Sequence, residues 1–243
     1  MIGIFDSGIG GVTVLKEIIK VLPNKKYIYY SDSIHNPYGD LEEEKLYSIV
    51  SNVVEYLIKR GCQIIVIACN TASCKCVKRL REEYKNTHFI AIEPAYKMVH
   101  DYNFDGKTLV LATKGTIESE KFLALYHKYD NHKTKLKSCV GLAEKIERGD
   151  QEEIDIYLQE NLGKYVGVEN VVLGCTHYPL IKESIKKVLG DVKFFDGGKG
   201  VAKELKRQLE NNNIMTKEGY SMEFIDSSSS RQKEQRFFEI LTK

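Results

Sequence analysis

No stretch of the 243 residues approaches the ~18 consecutive apolar positions that a membrane-spanning helix requires, so no span is expected. The opening MIGIFDSG lacks a basic region followed by an apolar run, and no signal peptide is expected either. A cytoplasmic location is therefore the default. Lys and Arg number 36 against 34 Asp and Glu, and the two signs are interspersed. A nucleic-acid partner would call for a concentrated basic face, so that class is set aside. Two phosphate signatures are also missing. The turn DSGIGG has Gly8 and Gly10, but position 13 is Thr where a dinucleotide fingerprint needs a third glycine, and no Gly-Lys-Ser/Thr ending makes it a P-loop. Nor do any two cysteines stand at the C-x2-C spacing of structural zinc sites.

What is present is a globular composition, 42% hydrophobic and 29% charged, long enough for one large domain or two small ones. Six cysteines, Cys62, Cys69, Cys74, Cys76, Cys139 and Cys175, read in a cytosolic chain as free thiols, catalysts or metal ligands rather than disulfides. Short apolar runs alternate with amphipathic stretches. Strands are expected at Ile2 to Phe5, Tyr27 to Tyr30, Ile64 to Ala68, Phe89 to Ile92, Thr108 to Ala112 and Val171 to Leu173. Helices are expected over Val12 to Val21, Glu42 to Lys59, Thr71 to Tyr84, Glu118 to Tyr129, Pro179 to Leu189, Gly200 to Asn211 and Arg231 to Leu241, the last capped by the serine run Ser227 to Ser230. Strands alternating with helices predict an α/β fold with parallel sheets.

The chain also echoes itself. Asp6 follows a strand and precedes Gly8; Thr113 follows a strand and precedes Gly115. Asp6 and Cys69 are 63 positions apart, Thr113 and Cys175 62, and each cysteine follows a buried-type strand. Two pseudo-symmetric α/β domains are thus expected, one of residues 1–93 plus 205–243 carrying Cys69, the other of 94–204 carrying Cys175. Ligands of open parallel sheets bind beyond the carboxyl ends of the strands, so facing domains would bring the two cysteines to one cleft. Singly, a cysteine after such a strand is an ordinary small core residue. As an equivalent pair they point to chemistry, because a thiol's pKa of about 8.5 is within reach of neutral pH once a neighbour lowers it. His177, two residues past Cys175, is placed to hold a thiolate or guide its proton.

Other motifs divide between plain and functional readings. DSGIGG is a tight strand-to-helix turn, or a small anion site in which backbone amides and Ser7 hold a carboxylate. Asp6 is a cap or a functional acid. NPYGD at Asn36 to Asp40 is a turn that could present Tyr38 to a substrate. Cys74 and Cys76, two apart on a helix, point to different sides and are expected to pack in the interior rather than bind metal. The five remaining histidines, His35, His88, His100, His127 and His132, are expected on the surface.

Collinear segments carry a resemblance: FDSGIGGVTVLKEI (Phe5 to Ile18), NPYG (Asn36 to Gly39), IACNTAS (Ile67 to Ser73), IEP (Ile92 to Pro94), ATKGT (Ala112 to Thr116) and LGCTHYPL (Leu173 to Leu180). Together they resemble the glutamate racemases of the aspartate/glutamate racemase superfamily. That resemblance implies glutamate as substrate, racemisation with no pyridoxal phosphate, metal or other cofactor, a supply of D-glutamate for peptidoglycan, and a homodimer. It implies Cys69 as the base towards the D-isomer and Cys175 towards the L-isomer, assisted by Asp6 and His177. Ser7, Pro37, Tyr38, Gly39, Asn70, Thr71, Thr116, Thr176, Asp6 and His177 match substrate-contacting positions, and Glu147 an acidic position near the second cysteine. The chain departs from the family at Ser31 to Asn36, at Asp196-Gly197-Gly198 and at Glu144, where a proline is usual. Rival readings are an aspartate or other acidic amino-acid racemase, a non-catalytic binding protein, and a metal or redox protein.

Overall fold

Six short β-rich runs were expected, and each forms a strand in the computed structural model. The model describes residues 1–103, 105–212, 214, 216 and 219–243; the remaining positions fall within the two expected domain segments and outside that description. In the first lobe, β1 (Ile2–Asp6), β2 (Lys26–Ser31), β3 (Ile64–Ile67) and β4 (His88–Ala91) join a late strand, β9 (Ser221–Asp226), in the order β4-β3-β1-β2-β9, with every pairing parallel. The run IIVI of β3 is buried throughout because both faces of a parallel sheet are covered. Ile64 and Val66 pack under α1 (Val12–Val21), α11 (Gly198–Asn211) and α12 (Arg231–Thr242). Ile65 and Ile67 pack under α2 (Glu43–Lys59), α3 (Asn70–Lys75) and α4 (Val77–Glu83).

The second lobe repeats the plan. Strands β5 (Thr108–Ala112), β6 (Thr134–Ser138), β7 (Asn170–Gly174) and β8 (Lys193–Phe195) lie parallel in the order β6-β5-β7-β8. One face is covered by α8 (Leu142–Arg148), α9 (Gln151–Leu162) and α10 (Lys182–Leu189). The other carries α5 (Tyr96–Asn103) and α7 (Glu120–Tyr129), with the single turn α6 (Lys114–Ile117) leading out of β5. The orders β4-β3-β1-β2 and β8-β7-β5-β6 are the same order, so the two-lobed, pseudo-symmetric α/β reading holds. The register sharpens it. Ile2 pairs with Ile64 and Thr108 with Asn170, an offset of 62 in both sheets. Continued two steps past the last pair of the first ladder and one past that of the second, the register sets Cys69 opposite Ser7 and Cys175 opposite Thr113. Thr113 therefore corresponds to Ser7, not to Asp6.

Three expected helices differ in detail. Thr71 to Tyr84 is two helices, α3 and α4, broken at Cys76, which caps both. Cys76 is fully buried but Cys74 only partly, so interior packing is right for one of the pair. Glu118 to Tyr129 is interrupted at Ser119, whose hydroxyl accepts the Phe122 amide and starts α7 afresh. Pro179 to Leu189 begins as a 3-10 turn, Tyr178–Ile181, because proline belongs at a helix start. The domain limit expected between 204 and 205 falls inside α11, a continuous helix packed on α1. Ser230 does cap α12, accepting from the Lys233 amide.

Candidate functional site

Cys69 is the last residue before α3 and Cys175 follows β7, so each sulfur stands at the carboxyl end of the third strand of its own sheet. Both line a narrow cleft between the lobes, together with Ser7, Asn36, Pro37, Tyr38, Gly39, Asn70, Thr71, Thr113, Ala143, Thr176 and His177. Every expected contact residue is at or next to this cleft, but Asp6, Thr116 and Glu147 do not line it; they stand behind the residues that do. Thr116 hydrogen-bonds to Thr113 at 3.0 Å and Thr71 at 3.3 Å, and Thr71 to Thr113 at 2.9 Å, so three hydroxyls join the lobes. Tyr38 donates to Asp32 at 2.5 Å, and Asp32 also faces His35 Nδ1 at 2.8 Å, which ties the NPYG turn to the departing segment Ser31 to Asn36.

The two sulfurs have different company. Cys69 Sγ lies 3.7 Å from the Ser7 hydroxyl, and Asp6 is close enough to oppose its ionisation. Burial, chiefly, and the Asp6 charge push the Cys69 thiol up, against a smaller downward pull from the Ala72 amide and Ser7. Cys175 Sγ lies 3.7 Å from His177 Nδ1, and His177 Nε2 lies 2.6 Å from a Glu147 carboxylate oxygen. Burial alone would lower the imidazole's pKa; hydrogen bonds to Cys175 and Glu147 outweigh it and hold His177 well above its ordinary range. Burial likewise opposes a charged Glu147, but the His177 contact keeps its carboxyl low. The pair is thus an imidazolium held by a carboxylate.

Asp6 is fully buried and accepts from the Gly8 amide at 3.1 Å and the Thr176 hydroxyl at 3.0 Å. Desolvation still wins over these and over His177, and its pKa rises to about 6. The anion site expected in DSGIGG is filled by the chain itself: the Ile9 amide donates to Glu147 at 3.1 Å. The glycines have the same origin. A Cβ on Gly8 would fall 2.5 Å from Glu147 Oε2, and one on Gly10 2.5 Å from His177 Nδ1. They are there to let the second lobe approach, not to cradle phosphate. Sequence reasoning passed over Asn36, Thr113 and Ala143 as lining residues. The register echo held the signal for Thr113; Ala143 has none in the sequence.

Asn70 is 3% exposed, and both polar atoms of its carboxamide are without a hydrogen-bond partner among the described residues. Burying an amide unpaired costs roughly 1–3 kcal/mol, so such a group at a cleft wall is a ready contact for a polar ligand.

Fold and site together define a class: duplicated α/β proteins that present one cysteine from each lobe to a shared cleft. A sequence model of the Asp/Glu/Hydantoin racemase family matches residues 22–205, and the chain belongs to that family, which makes it an enzyme of the racemase type. It is 45% identical over 219 residues to a glutamate racemase of Clostridium perfringens, covering 88% of this chain and 84% of that one. The structure is similar to glutamate racemase isoform RacE1 of Bacillus anthracis, with a TM-score of 0.87 at 30% identity over 100% of this chain and 94% of the other. It is also similar to the glutamate racemase of Francisella tularensis solved with D-glutamate, with a TM-score of 0.83 at 30% identity, covering 100% and 93%.

Proposed function

We propose that this chain interconverts L- and D-glutamate by two-base proton transfer between Cys69 and Cys175. The observation that carries the reading is the pair of cysteines at equivalent strand ends of two lobes, lining one cleft. An α-proton is weakly acidic, so inversion needs removal from one face and delivery to the other. One sulfur, as thiolate, takes the proton as the Cα–H bond breaks and its electron pair spreads into the substrate carboxylate. The opposite thiol gives its proton to the other face of the same carbon. Protons and charge balance, and the sulfurs exchange states at each turnover. Ser7, Asn70, Thr71 and Thr176 supply hydrogen bonds for the charge growing on the carboxylate. His177 and Glu147 position the Cys175 sulfur. Asp6 acts through its charge: when it takes up a proton, the thiolate of Cys69 is opposed less. A cytoplasmic, homodimeric enzyme completes the reading; among the described residues no helix is long and apolar enough to cross a membrane, and sedimentation of the purified chain tests the dimer.

The test is circular dichroism of L- and D-glutamate incubated with the chain, alongside solvent deuterium entry at the α-position. Cys69→Ala and Cys175→Ala are each expected to lose racemisation by at least about 10²-fold while remaining folded. Near-wild-type turnover in either variant sinks the two-base reading. Faster turnover of aspartate would replace the substrate, and glutamate binding with no deuterium entry would leave a binding protein.

A further inference from the structure

The C-terminal helix reaches the second lobe at one turn of α8. Its own lobe anchors it: Phe237 is fully buried, with ring centres 4.4 Å from Phe224 and 4.7 Å from Tyr29. The adjacent Arg236, partly buried, turns the other way and donates to the carbonyls of Ile146, at 2.5 Å, and Glu147. These are among the last carbonyls of α8, where a cation is favoured; that of Ile146 also accepts from the Gly149 amide at 3.1 Å. Gly149 leaves room for the contact, since a Cβ there would fall 2.9 Å from the guanidinium carbon. Lys233, one turn earlier on α12, lies 3.8 Å from Glu147 Oε1.

We infer that Arg236 is a positioning residue for the proton transfer: by clamping the end of α8 it fixes the Glu147 carboxylate on His177, and through His177 the sulfur of Cys175. The inference rests on the two-thiol reading above. The chain of contacts is continuous from the Arg236 guanidinium to the Glu147 backbone, from Glu147 Oε2 to His177 Nε2 at 2.6 Å, and from His177 Nδ1 to Cys175 Sγ at 3.7 Å. The charged and titratable groups around His177 are Cys175 on its own segment, Glu147 on α8, Asp6 at the end of β1, and Lys233 beyond Glu147. On α8 itself Glu144 and Arg148 pair with each other, and Arg148 with Glu153. Of these, Glu147 is the carboxylate that touches the ring, so its placement sets how firmly the imidazole stays charged.

The experiment is an NMR titration of the His177 ring in the full chain, assigned against His177→Asn, with racemisation followed over the same pH range. In Arg236→Gln the His177 midpoint is expected to fall by about one pH unit or more, because an opposite charge in contact moves a midpoint by that scale. The kcat is expected to drop roughly tenfold, as for other partners that orient a functional imidazole. Arg236→Lys, which keeps a cationic donor, should restore most of both. A folded Arg236→Gln with an unmoved His177 midpoint overturns the inference, even if its melting temperature is lower. If Arg236→Gln fails to fold, Gly149→Ala crowds the guanidinium from the helix side, and an unmoved midpoint there overturns it equally. Cys175→Ser separates the two ideas: racemisation by that variant removes the two-thiol reading, whereas the His177 midpoint reports on the clamp without any turnover.

Discussion

Asp6 spends its life in the wrong solvent. Its carboxyl has a pKa of about 6 in the folded chain against 3.8 for the free group, because burial outweighs Thr176, Gly8 and His177. A group whose folded value is raised supports the fold below its unfolded pKa and withdraws that support as pH climbs through the folded one. The window for Asp6 therefore runs from about pH 4 to just above 6. Asp6→Asn keeps an acceptor and removes the charge, so it is expected to be more stable than the parent at pH 8, by up to about 3 kcal/mol, and nearly neutral at pH 4. Urea unfolding at the two pH values checks this; an equal effect at both would rule it out. The same substitution should change the pH dependence of turnover, since it removes the charge that opposes the Cys69 thiolate.

Among the elements, α12 joins core and site. Phe237→Ala removes a fully buried ring stacked on Phe224 and tilted against Tyr29, at an expected cost of about 3–5 kcal/mol in unfolding free energy. Because Arg236 travels on the same helix, the variant should also lose kcat where it remains folded, and chemical denaturation with activity assayed on the folded fraction separates the two. The elements also explain what the sequence could and could not disclose. Apolar runs, wholly β-branched only in β3, marked β1, β3, β5 and β7, inner strands that are buried on both faces. The edge strands β6, β8 and β9 escaped notice: TKLKS, KFF and SMEFID are short or half-exposed and carry neither a long apolar run nor strict alternation. Helix α9 was hidden for the same reason, its buried side being only Ile154, Leu158 and Leu162 in an otherwise polar segment. In the site, the thiols and the lining of the turns were legible from local motifs. The contact of the Ile9 amide with Glu147 joins residues 138 positions apart, and that of Arg236 with Ile146 joins residues 90 apart. No local pattern announces such pairs.

At the scale of the molecule, the lobes agree in strand order and in a register offset of 62, but not in what stands beside each sulfur. Cys69 has a hydroxyl and a buried carboxyl; Cys175 has an imidazole backed by Glu147. The substrates of such an enzyme are mirror images with identical free energies, and the chain that handles them has no mirror plane. Detailed balance then fixes the equilibrium constant at one and forces kcat/KM to be the same from either hand, whatever the lobes look like. The asymmetry has only one outlet: kcat and KM can differ between directions only by a common factor. Burial and the Asp6 charge oppose a thiolate at Cys69 whereas Cys175 faces an imidazole, so on the proposed two-base reading the free enzyme is expected to rest in the form that receives the L-isomer. The expected pattern is a lower KM and a lower kcat from L-glutamate than from D-glutamate, with their ratio unchanged. Progress curves run from each pure enantiomer measure it, and identical constants in the two directions would mean that the unlike neighbours leave no kinetic mark.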